Sequence, residues 1–510
     1  MDVIFDALSV SLSYHVLIAM TFGTIIGLIF GAIPGLTYTV ALAVVLPLTF
    51  ALGPFPSIAM MLGTFNGGMA GGAISAILIG IPGTPSSAAT VADGYAMTRK
   101  GKASLALGAS IVASTFGGLF SLIVMMVSVN LVARMAIKFG PAEIFALVFF
   151  GLSTICAMAE KSLVRGLIAG VIGLMLMTIG LDEMDATRRL TFGFTEMLQG
   201  VNLVVAMVGL FAVPHVIEAL LSYLKGEYIP VKASDVRVEL PNWKSIKSQF
   251  WLMVRTSGMG TVIGAIPGAH GPVAAFLGYD HARRFSDHPE QFGKGAIEGV
   301  VAPEASHNAV TGGAMIPLLA LGIPSDPATA IILSGLLIHG LTPGPLLFSQ
   351  HPAEVYSVYF SFITSHVVII IVWLLGIRAF IQVLRVPAHL LAIAIVVMCV
   401  IGSYAVRNSP FDIYAMAIIG LLGYVLQRVQ IPITPIVLGL VLGHTLEKEF
   451  RTAMVLSDNS VDIFYTSPVA MTLFGLSLLV VVLQLRSTWK SRTSRQGGAP
   501  PEALREERNA

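Results

Sequence analysis

The chain has 510 residues, of which 55% are hydrophobic and only 11% are charged, and its formal net charge is +2. A soluble domain carries about 25% charged residues. This composition therefore excludes an ordinary soluble domain and indicates a protein with many membrane helices. The small net charge gives no electrostatic basis for binding nucleic acid. Cys156 and Cys399 both lie in apolar runs, which indicates packing roles rather than a disulfide or a metal site.

The first apolar block covers residues 7–92, which contain no Asp, Glu, Lys or Arg. Asp2 and Asp6 precede this block where a secretory signal would be basic, so we expect an uncleaved first helix. One membrane span needs about 20 residues, so the block holds more than one span. Gly and Pro interrupt it in "GAIPGL" and "GIPGTP".

Further uncharged apolar runs follow along the chain. They cover residues 103–133, 166–181, 201–217, 361–377, 390–406, 413–427 and 469–485. Together with the first block they predict about twelve membrane helices, give or take about two, in an all-α polytopic membrane protein.

Two polar segments divide the sequence. Residues 222–250 separate a first membrane half, 1–221, from a second, 251–485. Residues 486–510 form a polar tail that we expect to be disordered and cytoplasmic.

The two halves resemble each other. "GLIFGAIPGL" at Gly27 matches "GTVIGAIPGA" at Gly260, and "GGAISAILIGIPGTP" at Gly71 matches "GGAMIPLLALGIPSDP" at Gly312. The two pairs occur in the same order and at nearly the same offset, which indicates an internal repeat.

Charge placement favours opposite orientations for the two halves. In the first half the basic residues 99–102 follow the second motif, whereas in the second half the basic residues 283–294 lie between the motifs. Because basic loops stay cytoplasmic, equivalent loops would face opposite sides of the membrane. The sequence therefore predicts an inverted repeat.

Helix breakers at membrane depth are tolerated where the backbone is buried in protein or lines a polar cavity. Paired breaks in two repeats are a sequence indicator of a transporter binding site. A simple kink is the alternative for any one of the prolines. We predict that the breaks line a substrate site through Pro34, Gly35, Pro82, Gly83, Pro267, Gly268 and Pro324.

Neutral polar residues surround these breaks. The predicted substrate ligands among them are Asn66, Thr84, Ser86, Ser87, Asn308 and Ser325. A hydroxyl in an apolar helix often bonds only to its own backbone, whereas a buried amide needs several partners. Asn66 and Asn308 are therefore also candidate ligands for a coupling Na⁺.

Asp326 is the only Asp, Glu, Lys or Arg in residues 305–353. An isolated acid inside the membrane indicates function. Asp326 could bind Na⁺, carry a proton, or cap the next helix. We expect Glu298 and Glu304 to flank a helix start, and Asp93 to be a boundary or turn residue.

Enzyme motifs are missing from the sequence. It contains no GxxxxGK[ST] phosphate loop, no HExxH metal pair and no GxSxG nucleophile turn. We therefore predict no enzyme activity and no cofactor other than a coupling ion.

The stretches "GAIPGLTYTVALAVVLPLTF", "GGAISAILIGIPGTPSSAATVADGYAMTRKGKASLALG" and "APEASHNAVTGGAMIPLLALGIPSDPATAIILSGLLIHGLTPGP" resemble the TctA family, the large membrane subunit of the tripartite tricarboxylate transporters. The resemblance extends over nearly the whole chain. One departure is the pair Ser325 and Asp326 after "GIP", where the first half has Gly83 and Thr84. An acid there would alter ion coupling or substrate choice.

The resemblance implies a secondary transporter of the bacterial inner membrane. It implies uptake of citrate or related di- and tricarboxylates, commonly with Na⁺. It also implies two partners: a small four-helix membrane subunit and a periplasmic solute-binding protein. Proton coupling is the alternative within the same architecture, and a channel or a membrane enzyme are alternatives outside it.

Overall fold

The structure is a computed structural model that describes residues 2–157, 162–182, 184–225, 238–383 and 388–496. Helices dominate it, which confirms the predicted all-α membrane class. The described residues contain one two-stranded antiparallel sheet, in which β1 (Gly180–Leu181) pairs with β2 (Arg188–Arg189).

The described residues of the first half form nine α-helices, the last of which is a long membrane helix. They are α1 (Asp2–Ser11), α2 (Tyr14–Ala32), α3 (Tyr38–Val45), α4 (Pro54–Ile79), α5 (Ala88–Arg99), α6 (Ala103–Ala136), α7 (Pro141–Ala157), α8 (Leu163–Met177) and α9 (Leu203–Leu224).

The second half adds eleven helices among the described residues. They are α10 (Trp243–Ala265), α11 (Gly271–Arg284), α12 (Glu298–Leu321), α13 (Pro327–Ile338), α14 (Leu347–Gln350), α15 (Pro352–Val383), α16 (Ala388–Arg407), α17 (Pro410–Arg428), α18 (Ile433–Leu456), α19 (Asp462–Thr466) and α20 (Pro468–Gln496).

Eight helices in the described part of the chain are long and apolar enough to cross a membrane. Four shorter apolar segments accompany them, including α7, α8 and α13. The predicted total of about twelve spans stays a prediction.

The helices run beyond the predicted boundaries of the polar segments. α9 continues to Leu224 and α10 begins at Trp243, so helix enters the predicted connection 222–250 from both ends. Residues 226–237 lie outside the described residues. α20 continues to Gln496, into the segment predicted to be disordered, and 497–510 lie outside the described residues.

In each half, glycines bring the two helices that carry the repeated motifs into backbone contact. α2 packs on α4, and α10 packs on α12, so closely that a Cβ at the contact glycines would overlap the facing backbone. These contacts join Gly27 to Thr64, Gly31 to Gly68 and Gly71 to Leu28 in the first half, and Gly260 to Ser306, Gly264 to Val310 and Gly313 to Thr261 in the second. The same three contacts therefore occur at matching positions of both halves, as small-residue packing in membranes allows.

Candidate functional site

The first break of each half is a turn of the same shape. α2 ends before Pro34 and α10 ends before Pro267, and Gly35 and Gly268 have φ angles of 90° and 86°. A side chain is disfavoured at such positive φ, which explains glycine at both positions. Proline lacks the amide hydrogen that would continue the helix.

The second break of each half is also alike. α4 ends in left-handed Gly80 and α12 ends in left-handed Gly322, with φ angles of 72° and 70°. Pro82 and Pro324 follow, and a new helix begins a few residues later. These left-handed C-terminal glycines terminate the helices without strain.

Within each half, the two breaks touch. Gly83 packs against the carbonyl oxygen of Gly31 so tightly that no Cβ would fit. In the second half the amide of Gly268 donates a hydrogen bond to the carbonyl oxygen of Ser325, at 2.9 Å.

The breaks also meet across the two halves. Gly271, the first residue of α11, lies against the side chain of Ser86. Tyr38, the first residue of α3, has its hydroxyl beside Ser86 and near Asp326. The structure therefore brings the predicted break residues of both halves to one place.

Four helix starts surround this place. Thr37 caps α3, and the Asp326 carboxylate caps α13 by accepting the amide of Thr329 at 2.8 Å. Before α5, the Ser87 hydroxyl accepts the amide of Thr84, at 3.3 Å. The fourth start is that of α11. The free amides at such starts, with the positive ends of the helix dipoles, favour anions.

Asn66 and Asn308 occupy equivalent buried positions on α4 and α12. The Asn66 amide donates to Ser365 on α15 at 2.8 Å, and the Asn308 amide donates to Ser114 on α6 at 3.0 Å. Within the described residues, the Asn66 side-chain oxygen and the hydroxyls of Thr84, Ser86 and Ser325 are buried without a hydrogen-bond partner. These four atoms are therefore available to a ligand.

Glu304 is a buried acid in the interior of a helix, a position that was not predicted from the sequence. It was expected at a helix start, but α12 begins at Glu298 and Glu304 lies inside it, fully buried. Its two carboxylate oxygens accept hydrogen bonds from Thr90, at 2.7 Å, and from Ser114, at 3.0 Å. The repeat could have shown this, because Glu304 aligns with Leu62 in the middle of α4.

His307 and Asn308 complete the cluster around Glu304. The His307 Nδ1 lies 2.9 Å from the carbonyl oxygen of Pro303, so Nδ1 carries the hydrogen. Its Nε2 lies 3.0 Å from the Asn308 amide nitrogen and 3.8 Å from the Glu304 carboxylate.

Asp93 was predicted at a boundary or turn, and this prediction is wrong. It lies inside α5 and is fully buried. Its carboxylate accepts the amides of Gly295 and Ala296, at 2.7 and 2.8 Å, and the hydroxyl of Tyr279, at 2.8 Å. Burial, with the nearby Asp93 charge, raises the pKa of Tyr279, which keeps its hydroxyl protonated as the donor.

A cavity of about 210 Å³ borders the first break. Pro34, Gly35 and Leu36 form one wall, and α9 contributes His215 and Glu218. The equivalent turn of the second half differs, because Gly268 is buried.

Together, the fold and the site define an all-α, multi-pass membrane protein with interrupted helices, an arrangement typical of secondary transporters. A family model described as "Tripartite tricarboxylate transporter TctA family" matches residues 17–438. The chain belongs to this family, which confirms the resemblance found in the sequence.

Two relatives come from Agrobacterium vitis. "Uncharacterized 52.8 kDa protein in TAR-I ttuC' 3'region" is 35% identical over 454 residues, covering 89% of this chain and 90% of the relative. "Uncharacterized protein in TAR-II ttuC' 3'region" is 39% identical over 233 residues, covering 46% of this chain and 96% of the relative. No solved structure matches the chain significantly.

Proposed function

We propose that this chain is the large membrane subunit of a secondary transporter that imports di- or tricarboxylates such as citrate together with Na⁺. The observation that carries the proposal is the meeting of four helix starts at the paired breaks. No Lys or Arg occurs in residues 7–98, 256–282 or 295–377. An anion bound there would therefore be held by helix dipoles, amides and hydroxyls.

The polar and break residues predicted from the sequence are the proposed substrate contacts. Among them, Asn66, Thr84, Ser86 and Ser325 have unpaired buried oxygen atoms, and Ser86 lies where the two halves meet. A nearby cation would lower the cost of placing several carboxylates in a site of low dielectric constant. Asp326, Asn66 and Asn308 are the sodium ligands proposed from the sequence.

The proposed orientation is an inverted repeat in the bacterial inner membrane, with the basic loops in the cytoplasm. Its support is that the two basic loops lie side by side, since Lys100 Nζ donates to the carbonyl oxygen of Lys294 at 2.6 Å. The backbone carbonyl oxygen of Ser104, just after the first basic loop, also accepts a hydrogen bond from the amide of Glu239 in the polar connection, at 3.1 Å. The small four-helix subunit and the periplasmic binding protein are the proposed partners.

Proton coupling is the second candidate, and the buried pair Glu304 and His307 favours it. Two ionisable groups with no exposed surface lie within 3.8 Å of each other there. Such intramembrane pairs are typical of proton relays.

Reconstitution of all three components in liposomes tests the proposal. We expect saturable uptake of labelled citrate that requires the binding protein and an inward Na⁺ gradient, and little uptake by this chain alone. Na⁺ and pH are varied separately, so uptake driven by pH alone would identify proton coupling. Non-saturable flux without the binding protein would contradict a transporter and indicate a channel.

A further inference from the structure

The Glu304 carboxylate has no basic partner that would offset its burial. The described residues place only neutral hydroxyls, from Thr90 and Ser114, within hydrogen-bond distance of its oxygens. No ion pair with Lys or Arg involves Glu304 among these residues, and the nearest cationic candidate is His307 at 3.8 Å. Burying a lone charge in this way is costly unless the carboxyl takes up a proton or a counter-charge binds.

The oxygen atoms around Glu304 suit a small monovalent cation. Two carboxylate oxygens and two hydroxyl oxygens lie together, with neighbouring atoms 2.7 and 3.0 Å apart. A single carboxylate carries one negative charge, which a monovalent ion balances, whereas Ca²⁺ takes six to eight oxygen ligands and Mg²⁺ demands octahedral geometry. The Asn308 amide holds Ser114 in place from the side.

We propose that Glu304 is the charged ligand of a sodium site that it forms with Thr90 and Ser114. This inference rests on the proposed function, in which Na⁺ drives uptake, and it moves the charged ligand from Asp326 to Glu304. Oδ1 of the Asp326 carboxylate is already used by its own helix start, where it accepts both the amide and the hydroxyl of Thr329.

The position of the cluster explains how Na⁺ would act on the breaks. Thr90 lies in the first turn of α5, directly after the second break of the first half, while Glu304 belongs to the second half. A bound cation would join the two halves at this point. Because Glu304 has no exposed surface, the helices that carry these three residues must move for the cation to exchange.

Thermal unfolding of the purified chain in detergent tests the inference without measuring transport. NaCl is compared with KCl and choline chloride at equal ionic strength. We expect Na⁺ alone to raise the melting temperature in a concentration-dependent way, because a ligand that binds the folded state stabilises it by mass action. Glu304→Gln should lose the Na⁺-dependent shift.

Asp93→Asn is the matched control, since Asp93 is an equally buried acid at the same interface whose oxygens are filled by backbone amides and Tyr279. We expect this variant to keep the Na⁺-dependent shift, whatever its absolute stability. Should Glu304→Gln fail to fold, Thr90→Val and Ser114→Ala retain the carboxylate and should require higher Na⁺ concentrations for the same shift.

Three outcomes would overturn the inference. In the first, Na⁺ and K⁺ stabilise the wild-type chain equally, or a lower pH stabilises it and Na⁺ does not. The pH effect is expected if a protonated His307 is the counter-charge of Glu304. In the second, Glu304→Gln folds and keeps the shift; loss of the shift in Asp326→Asn would then return the charged ligand to Asp326. In the third, Thr90→Val and Ser114→Ala both leave the Na⁺ dependence unchanged. By contrast, absent citrate uptake with an intact Na⁺ shift would remove only the proposed function.

Discussion

Asp93 and Glu304 show two ways in which this protein accommodates a buried carboxylate. Asp93 accepts two backbone amides from the segment before α12 and one tyrosine hydroxyl, so its charge is well solvated by the protein. Glu304 receives two side-chain hydroxyls and keeps capacity for a cation. The first arrangement fastens α5 to the segment before α12, and the second suits a reversible ligand.

Removing the Asp93 carboxylate should destabilise the fold. Asp93→Ala leaves two backbone amides and the Tyr279 hydroxyl without their acceptor, which we expect to cost about 3 kcal/mol. Tyr279→Phe removes one donor only and should cost about 1 kcal/mol. Chemical unfolding in detergent measures both, and equal losses would contradict this role for Asp93.

At the level of residues, the roles of the neutral polar side chains near the breaks stay a prediction, whereas the sequence misplaced the buried acids. Asn66 and Asn308 were recognisable because buried amides are unusual in apolar helices. Asp93 and Glu304 were taken for boundary residues because charge ordinarily indicates a helix end in a membrane protein. Their burial depends on partners far away in the sequence, which no local pattern shows.

The broken helices were predictable as elements, since Pro and Gly determine local backbone geometry directly. The positive φ angles at Gly35, Gly80, Gly268 and Gly322 agree with that prediction. Helix lengths near the polar connection were not predictable to the same degree, because polar residues are compatible with a helix and a change in composition does not mark a helix end.

Close packing between α10 and α12 gives a prediction at this scale. A Cβ at Gly260 would overlap the carbonyl oxygen of Ser306, so Gly260→Ala should destabilise the protein by about 1–3 kcal/mol. Gly258 on the same helix has open space around it, and Gly258→Ala should be neutral or slightly stabilising. Thermal unfolding of both variants decides the matter, and similar stabilities for the two would refute the contact.

For the molecule as a whole, the proposed inverted repeat predicts which loops share a side of the membrane. Single cysteines at residues 100 and 294 should react with an impermeant thiol reagent only from the cytoplasmic side. A cysteine at residue 53, between α3 and α4, should react only from the periplasmic side. The natural cysteines, Cys156 and Cys399, are buried and should add little background. Labelling of residue 53 from the cytoplasm would reject the inverted orientation.

The two Ala-Ile-Pro-Gly turns adopt the same backbone in different surroundings. Gly35 faces the cavity beside α9, while the Gly268 amide is engaged by Ser325. If the two halves have opposite orientations, a second conformer could place the Gly35 turn in a closed environment and the Gly268 turn beside a cavity. The cavity at Gly35 would then be closed on one side of the membrane, and the cavity at Gly268 would be open on the other side. The free-energy difference between the two conformers would set their populations. A difference in ligand affinity of about 1.4 kcal/mol would then change their population ratio tenfold.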